Sequence, residues 1–331
     1  MSATKTPSVT TLEAINLALQ DALESDESVL LLGEDIADAQ SGGVVGVTKG
    51  LSTRFGTDRV RSTPISEQAI VGAAVGAAIA GMRPVAEIML MNFITVAMDQ
   101  LVNHAAKIRF MSGGQTSVPL TIRTMTGSQF GTAGQHSDFL EAWLGHTAGL
   151  KVVAPSCPAD AYGLLLSCIF SDDPCVFIEH LPSYWTKGDA PKRGARIPLG
   201  KANIVSSGKD VTVIGYSRSV TDSMRVVQKL AKEGISVELI DLRTIAPLDV
   251  DTILESVART RRAVVVHEAA KPFGIGAEVS SRIHEQLFSQ LAAPVQRVAS
   301  KFCPVPFSKP LEEKFLYSDV EIEAAIRATL R

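Results

Sequence analysis

Glu67 is the sole carboxylate in the stretch Thr63–Gly81, TPISEQAIVGAAVGAAIAG. Ser66 ahead of it is a good N-cap residue, so Glu67 falls in the first turn of a helix, where the macrodipole favours negative charge. No polar residue lies between Gln68 and Gly81, which predicts a helix buried nearly all round. Gly72 and Gly76 inside it cost about 1 kcal/mol each against Ala, and close approach of another backbone is the usual compensation. A carboxylate placed in this way either caps its own helix or has a ligand. Phe93 follows the apolar run Pro84–Met91, and His136 stands in the loop MTGSQFGTAGQHSDF. Taken singly, Phe93 reads as core and His136 as a loop histidine making one hydrogen bond. Glu34 and Asp35 close another apolar run and read equally as solvated turn residues or as ligand contacts. Glu87, in the middle of Pro84–Met91, needs a partner or a raised pKa if that run is a buried strand.

What raises these residues together is the order of elements around them. Short apolar runs of strand length (29–32, 84–91, 119–124, 150–154 and 175–179) alternate with helix-like segments, among them one opened by a Thr10/Glu13 capping box and others at 95–109 and 158–170. That alternation is α/β with a parallel sheet. In such sheets the loops after the strands share one face, and ligands bind there. Glu67, Phe93, His136 and Glu34 each fall at or just past a strand's C-terminal end. A carboxylate, an aromatic face and an imidazole gathered there suit a flat nitrogen heterocycle: stacked on Phe93, hydrogen-bonded to Glu67, with His136 available for acid–base work.

The chain has 331 residues, 46% of them hydrophobic, and a net charge of -3. This predicts two domains with sizeable cores and gives no footprint for nucleic acid or an anionic membrane. The polar segment 180–200 reads as the linker, so the domains are expected at 1–190 and 191–331. The second half repeats the rhythm with strands at 211–216, 236–242, 263–268 and 294–299. Segment 39–49, rich in Gly and Val, reads as a mobile loop. Cys157, Cys168, Cys175 and Cys303 lack CxxC spacing and read as reduced, buried thiols of a cytoplasmic protein. The N-terminus lacks the apolar core of a signal peptide, and no run reaches 18 apolar residues. The six histidines show no metal-ligand spacing. A P-loop and a GxSxG elbow are absent, and Gly274-Ile275-Gly276 lacks a dinucleotide-binding context.

Several long blocks, in order, resemble the beta subunit of the E1 component of 2-oxo acid dehydrogenase complexes, of pyruvate, branched-chain or acetoin type. They are LLGEDI (31–36), TPISEQAIVGAAVGAAIAGMRPVAEI (63–88), NFITVAMDQLVNHAAKIRFMSGG (92–114), QHSD (135–138), GLKVVAPSCPADAYGLL (149–165), DLRTIAPLD (241–249) and HEA with GIGAEV (267–279). The resemblance implies two parallel-sheet domains, an N-terminal one binding the thiamine pyrimidine and a C-terminal one like that of transketolase.

By the same resemblance the cofactor is thiamine diphosphate. Glu67 would contact N1′ of the aminopyrimidine and so promote deprotonation of the thiazolium C2. Phe93 would stack on the pyrimidine, and His136 would handle the intermediate or its acyl transfer to lipoamide. Glu34 would serve as a proton-relay group near the cofactor. A structural potassium ion is implied at Leu120, Cys168, Ile169, Ser171 and Asp173, largely through backbone carbonyls; relatives commonly carry Asp or Asn where Ser171 stands. The sequence contains no GDG, the motif that holds the diphosphate and magnesium in thiamine enzymes. The resemblance therefore implies an E1 alpha subunit supplying that half, an α2β2 heterotetramer with a beta–beta contact, and an E2 acyltransferase that receives the acyl group. The alternatives are an acetoin-cleaving enzyme or stand-alone carboligase, and a non-catalytic scaffold for the alpha chain. Joint retention of Glu67, Phe93 and His136 speaks against the scaffold.

Overall fold

The computed structural model describes residues 8–331. The N-terminal reading reaches into residues 1–7, which lie outside the described residues. The chain forms two compact units. The N-terminal unit holds residues 8–126 and 144–199, and the C-terminal unit holds 127–143 and 200–331. The division falls at Leu199/Gly200 rather than 190/191. The reason is that Ile197 and Leu199 pack on the N-terminal core, and the Ile197 N–H donates to Gly163 O at 3.2 Å.

The N-terminal unit opens with β1 (Ser8–Thr10) and α1 (Thr11–Ser25). The Thr10/Glu13 capping box forms as the sequence predicts. Then follow β2 (Val29–Glu34), α2 (Leu51–Phe55), β3 (Val60–Thr63), α3 (Glu67–Ile79), β4 (Arg83–Leu90), α4 (Ala106–Met111) and β5 (Thr121–Thr126). The chain returns through α5 (Glu141–Gly145) to β6 (Lys151–Val153), α6 (Pro158–Ile169), β7 (Cys175–His180) and β8 (Lys187–Asp189). Six of these strands lie parallel in the order β6-β7-β5-β4-β2-β3. The order reverses between β2 and β4: the chain steps outward from β2 to β3, then crosses back to lay β4 on the other side. The crevice beyond the carboxyl ends of those strands is the place where such sheets bind ligands.

Segment 180–200 is not a bare linker. Its strand β8 pairs with β1 antiparallel, and Tyr184 is buried in the core. Nor is 39–49 a loose loop. The Asp38 carboxylate takes hydrogen bonds from Ser52 Oγ and from the N–H and hydroxyl of Thr53. Asn16 Nδ2 donates to Val47 O and Lys49 O at 2.7 and 3.1 Å. The expected helix 95–109 is divided instead: a 3-10 stretch Met91–Ala97, a π-helical turn Gln100–Ala105, then α4.

The C-terminal unit contains β9 (Asn203–Ser206), β10 (Val211–Gly215), α7 (Arg218–Ala231), β11 (Val237–Asp241), β12 (Thr244–Ala246), α8 (Val250–Thr260), β13 (Ala263–Ala270), α9 (Ile275–Leu287), β14 (Gln296–Ser300), α10 (Lys309–Phe315) and α11 (Asp319–Thr329). Its sheet runs β14-β13-β10-β11-β9. The four strands expected from sequence are parallel, and β9 adds an antiparallel edge. β9 has no buried apolar run to mark it in the sequence, since two of its four residues, Ile204 and Val205, are exposed, as on an edge. The core gathers valines of β10, β13 and α7 with Tyr317, Ile322 and Ile326 of the C-terminal helix region.

Candidate active site

Glu34 is the last residue of β2, and Glu67 the first of α3, immediately beyond β3. Because β2 and β3 are neighbours, with Glu34 opposite Thr63, the two carboxylates meet at the carboxyl end of β2, the strand that borders the reversal of order. Burial, then the like charge of Glu67, push the Glu34 carboxyl above its ordinary pKa, while the Ser66 N–H holds it back. Ser66 does not cap α3 with its side chain; its hydroxyl donates to Pro64 O at 3.1 Å. The backbone turn at Ser66 therefore serves Glu34, and Glu67 stands half-buried at the helix tip. Glu34 and Glu67 are thus brought together. Phe93 lies in the 3-10 stretch after β4, the strand on the other side of the reversal, and packs partly buried against the N-terminal core.

Helix α3 is not buried all round. Ile70, Val71, Ala74, Val75 and Ala78 face inward. Ala69, Ala73, Gly76 and Ala80 are exposed. Among the described residues, and outside the helix's own backbone, no heavy atom lies within 4 Å of where a Gly76 Cβ would sit, and Gly72 meets only Gln100 Cγ at 3.4 Å. Ala lies on both faces and apolar Ile79 is exposed, so hydropathy alone could not tell the outer from the inner. Gly81, at φ 95°, ends the helix with the N–H bonds of Gly81 to Ala78 O and Met82 to Ala77 O.

Glu87 has its partner. Arg123, fully buried, donates from Nη1 to Glu87 Oε2 at 2.6 Å, and from Nε and Nη2 to the two oxygens of Glu179 at 2.7 and 2.8 Å. Tyr184 donates to Glu179 as well. Burial raises the Glu179 pKa despite Arg123. No motif signalled this network. Gly33 is fixed by it: a Cβ there would sit 2.8 Å from Glu87 Cβ.

His136 lies in segment 127–143, which groups with the C-terminal unit. That segment is held within its unit. Ser128 donates from N and Oγ to Glu268 Oε1 at 2.8 Å each, and Tyr216 OH donates to Glu141 Oε1 at 2.6 Å. Burial pushes the Glu141 carboxyl up to about 7, against the pull of the Tyr216 hydroxyl. His267 is buried in the same unit, parallel to the Tyr216 ring at 6.2 Å, and burial pulls its pKa down to about 4.

The residues expected to hold potassium come together, but their donors are engaged. Leu120 O accepts the Cys175 N–H at 2.8 Å, and Cys168 O accepts the Ser171 N–H at 3.0 Å. Arg83 Nη1 takes Ile169 O and Ser171 O at 3.3 and 3.1 Å. Lys151 Nζ bonds Ser171 Oγ at 2.9 Å and lies 3.1 Å from Asp173 Oδ2. Arg109 takes Asp173 Oδ1 at 2.6 Å. Among the described residues no cluster of three His, Cys, Asp or Glu side chains could hold a metal ion, no disulfide forms, and Cys303 is exposed while Cys168 and Cys175 are buried.

Residues 7–185 match the family described as transketolase, pyrimidine binding domain, and residues 200–322 match transketolase, C-terminal domain. The chain is 46% identical over 326 residues to the acetoin:2,6-dichlorophenolindophenol oxidoreductase subunit beta of Cupriavidus necator, covering 96% of each chain. It is 43% identical over 323 residues to the pyruvate dehydrogenase E1 component subunit beta of Staphylococcus epidermidis, covering 97% of this chain and 98% of that one. A solved split-gene transketolase, described as an inactive beta4 tetramer, shares the fold with a TM-score of 0.80 at 19% identity, over 97% of this chain and 98% of that one. This chain belongs to the transketolase-like family of E1 beta subunits.

Proposed function

We propose that this chain is the beta subunit of a thiamine diphosphate-dependent E1 enzyme that oxidatively decarboxylates a 2-oxo acid, pyruvate or branched-chain, and passes the acyl group to a lipoyl-bearing E2. The observation that carries this reading is the meeting of Glu34 and Glu67 at the carboxyl end of β2, beside the reversal of strand order. Thiamine diphosphate, when bound, supplies the electron sink for cleavage of the bond beside the carbonyl. The residues present suit its pyrimidine half. Glu67 holds or moves a proton at N1′ of the ring, Phe93 offers its face, and Glu34, already pushed toward its neutral form, exchanges a proton with Glu67 or with solvent. His136 is assigned acid–base work on the acyl group. That role rests on the motif Gln135-His136-Ser137-Asp138.

With no GDG in the sequence, the diphosphate and its magnesium are assigned to an alpha subunit, in an α2β2 assembly with a beta–beta contact. The exposed Ala/Gly face of α3 is the surface assigned to the alpha subunit, because no described residue beyond its own helix backbone approaches Gly76 there. Cytoplasmic location fits cysteines that form no disulfide among the described residues. A second substrate reading is favoured by the 46% identical relative named for acetoin: carbon–carbon cleavage of acetoin would replace decarboxylation.

The test is co-expression with a GDG-bearing alpha chain and assay with a dye acceptor. Thiamine-dependent turnover of pyruvate, a branched-chain 2-oxo acid or acetoin is expected. A correctly assembled complex inactive on all of them would favour the scaffold.

A further inference from the structure

The corner of the N-terminal unit where a potassium ion was expected is built from the end of α6, the turn after it and the start of β5. Arg83, Arg109 and Lys151 converge there, and Arg196 lies over the adjacent Phe170 ring. Arg83 reaches the carbonyls of Ile169 and Ser171 and pairs with Asp172 at 3.0 Å. Its Nε lies 3.9 Å from Asp26. Lys151 enters from the start of β6 and joins Ser171 Oγ to the Asp173 carboxylate. Arg109 covers the other oxygen of Asp173.

Each expected donor therefore has a hydrogen-bond or ionic partner from the chain itself. Charge is also accounted for: Arg83, Arg109 and Lys151 stand against Asp26, Asp172 and Asp173. A potassium ion needs several oxygens free to turn toward it and gains most where negative charge is uncompensated. Here a further cation would meet the ammonium group and two guanidinium groups. Ser171 matters to the difference. Its hydroxyl accepts from Lys151 and donates to Asp173 O at 3.0 Å, whereas a carboxylate in its place would leave charge for an ion to satisfy.

We infer that Lys151, together with Arg83, supplies covalently the positive charge expected of a bound monovalent cation, so that the end of α6 is tied to the loop 171–173 without potassium. The residues do not fit the ion, and this subunit is structurally independent of it.

The experiment is thermal unfolding of the full chain in potassium chloride and in choline chloride at matched ionic strength, for the wild type and for Lys151→Met. The wild-type midpoint is expected to be the same in both salts. A midpoint higher in potassium overturns the inference. Lys151→Met removes the charge but keeps the apolar stem, and its midpoint should fall by roughly 2–4 °C. A variant as stable as the wild type in choline chloride overturns it too. A potassium-specific recovery in the variant, absent from the wild type, is the sharpest supporting result. If Lys151→Met does not fold, the wild-type salt comparison still decides.

Discussion

At the scale of single residues, the candidate site turns on two carboxylates with different neighbours. Glu34 is pushed toward its protonated form by burial and by Glu67, while Glu67 sits half-buried in the first turn of α3. Glu67→Gln keeps shape and removes the acid. With the alpha partner present it should lower turnover by about 10²–10⁴-fold and leave assembly unchanged, measured as dye-reduction rate beside the elution profile of the complex. Full activity in the variant would take Glu67 out of the mechanism. The motif around Glu67 made the residue legible. Its companion Ser66 is a good cap by type, and only the backbone path shows its N–H turned to Glu34 while its hydroxyl bonds Pro64 O.

At the scale of elements, the strands were the easier part to read. Their apolar runs are nearly continuous because a parallel sheet is covered on both faces. What the sequence could not carry is pairing across strands. Glu87 announced that it needed a partner, but Arg123 and Glu179 lie on other strands, and only the registers of β4 with β5 and β5 with β7 bring them together. Arg123→Met would leave two carboxylates facing each other in the core. It should cost about 3–5 kcal/mol, read as a lower denaturant midpoint. Gly33→Ala should cost about 1–3 kcal/mol, because its methyl would press on Glu87 Cβ at 2.8 Å. A neutral outcome for Gly33→Ala would mean that β2 and β4 can spread. Edge strands β1, β8 and β9 escaped notice for the opposite reason: they are short, and partly polar or exposed.

At the scale of the whole molecule, two buried groups give stability a pH dependence. Glu141 has its pKa raised from 4.5 to about 7, so the folded chain keeps a proton that the unfolded chain releases. Its contribution falls as pH rises through that window. His267 is lowered from 6.5 to about 4, so the folded chain refuses a proton that the unfolded chain binds, and stability rises over that window. Glu141→Gln isolates the first effect. Relative to the wild type it should gain up to about 3 kcal/mol between pH 5 and 8, by denaturant unfolding across pH. A constant difference would contradict the assignment. Assembly belongs to this scale as well. The open face of α3 was read from sequence as buried because alanine and glycine carry the same signal against a sheet and against a partner chain. Gly76→Leu should fold as the wild type does, since no described residue beyond its own helix backbone lies within 4 Å of a Cβ there, yet fail to co-purify with the alpha chain.

The beta chain is proposed to bring the acid of a shared thiamine site. That role is tested most directly by single-turnover decarboxylation in a reconstituted complex, comparing the wild type with Glu67→Gln at saturating thiamine diphosphate and magnesium. Cofactor-dependent release of carbon dioxide (or, from acetoin, acetaldehyde) is expected from the wild type, with its near loss in an intact Glu67→Gln complex. Equal release by both complexes would contradict it.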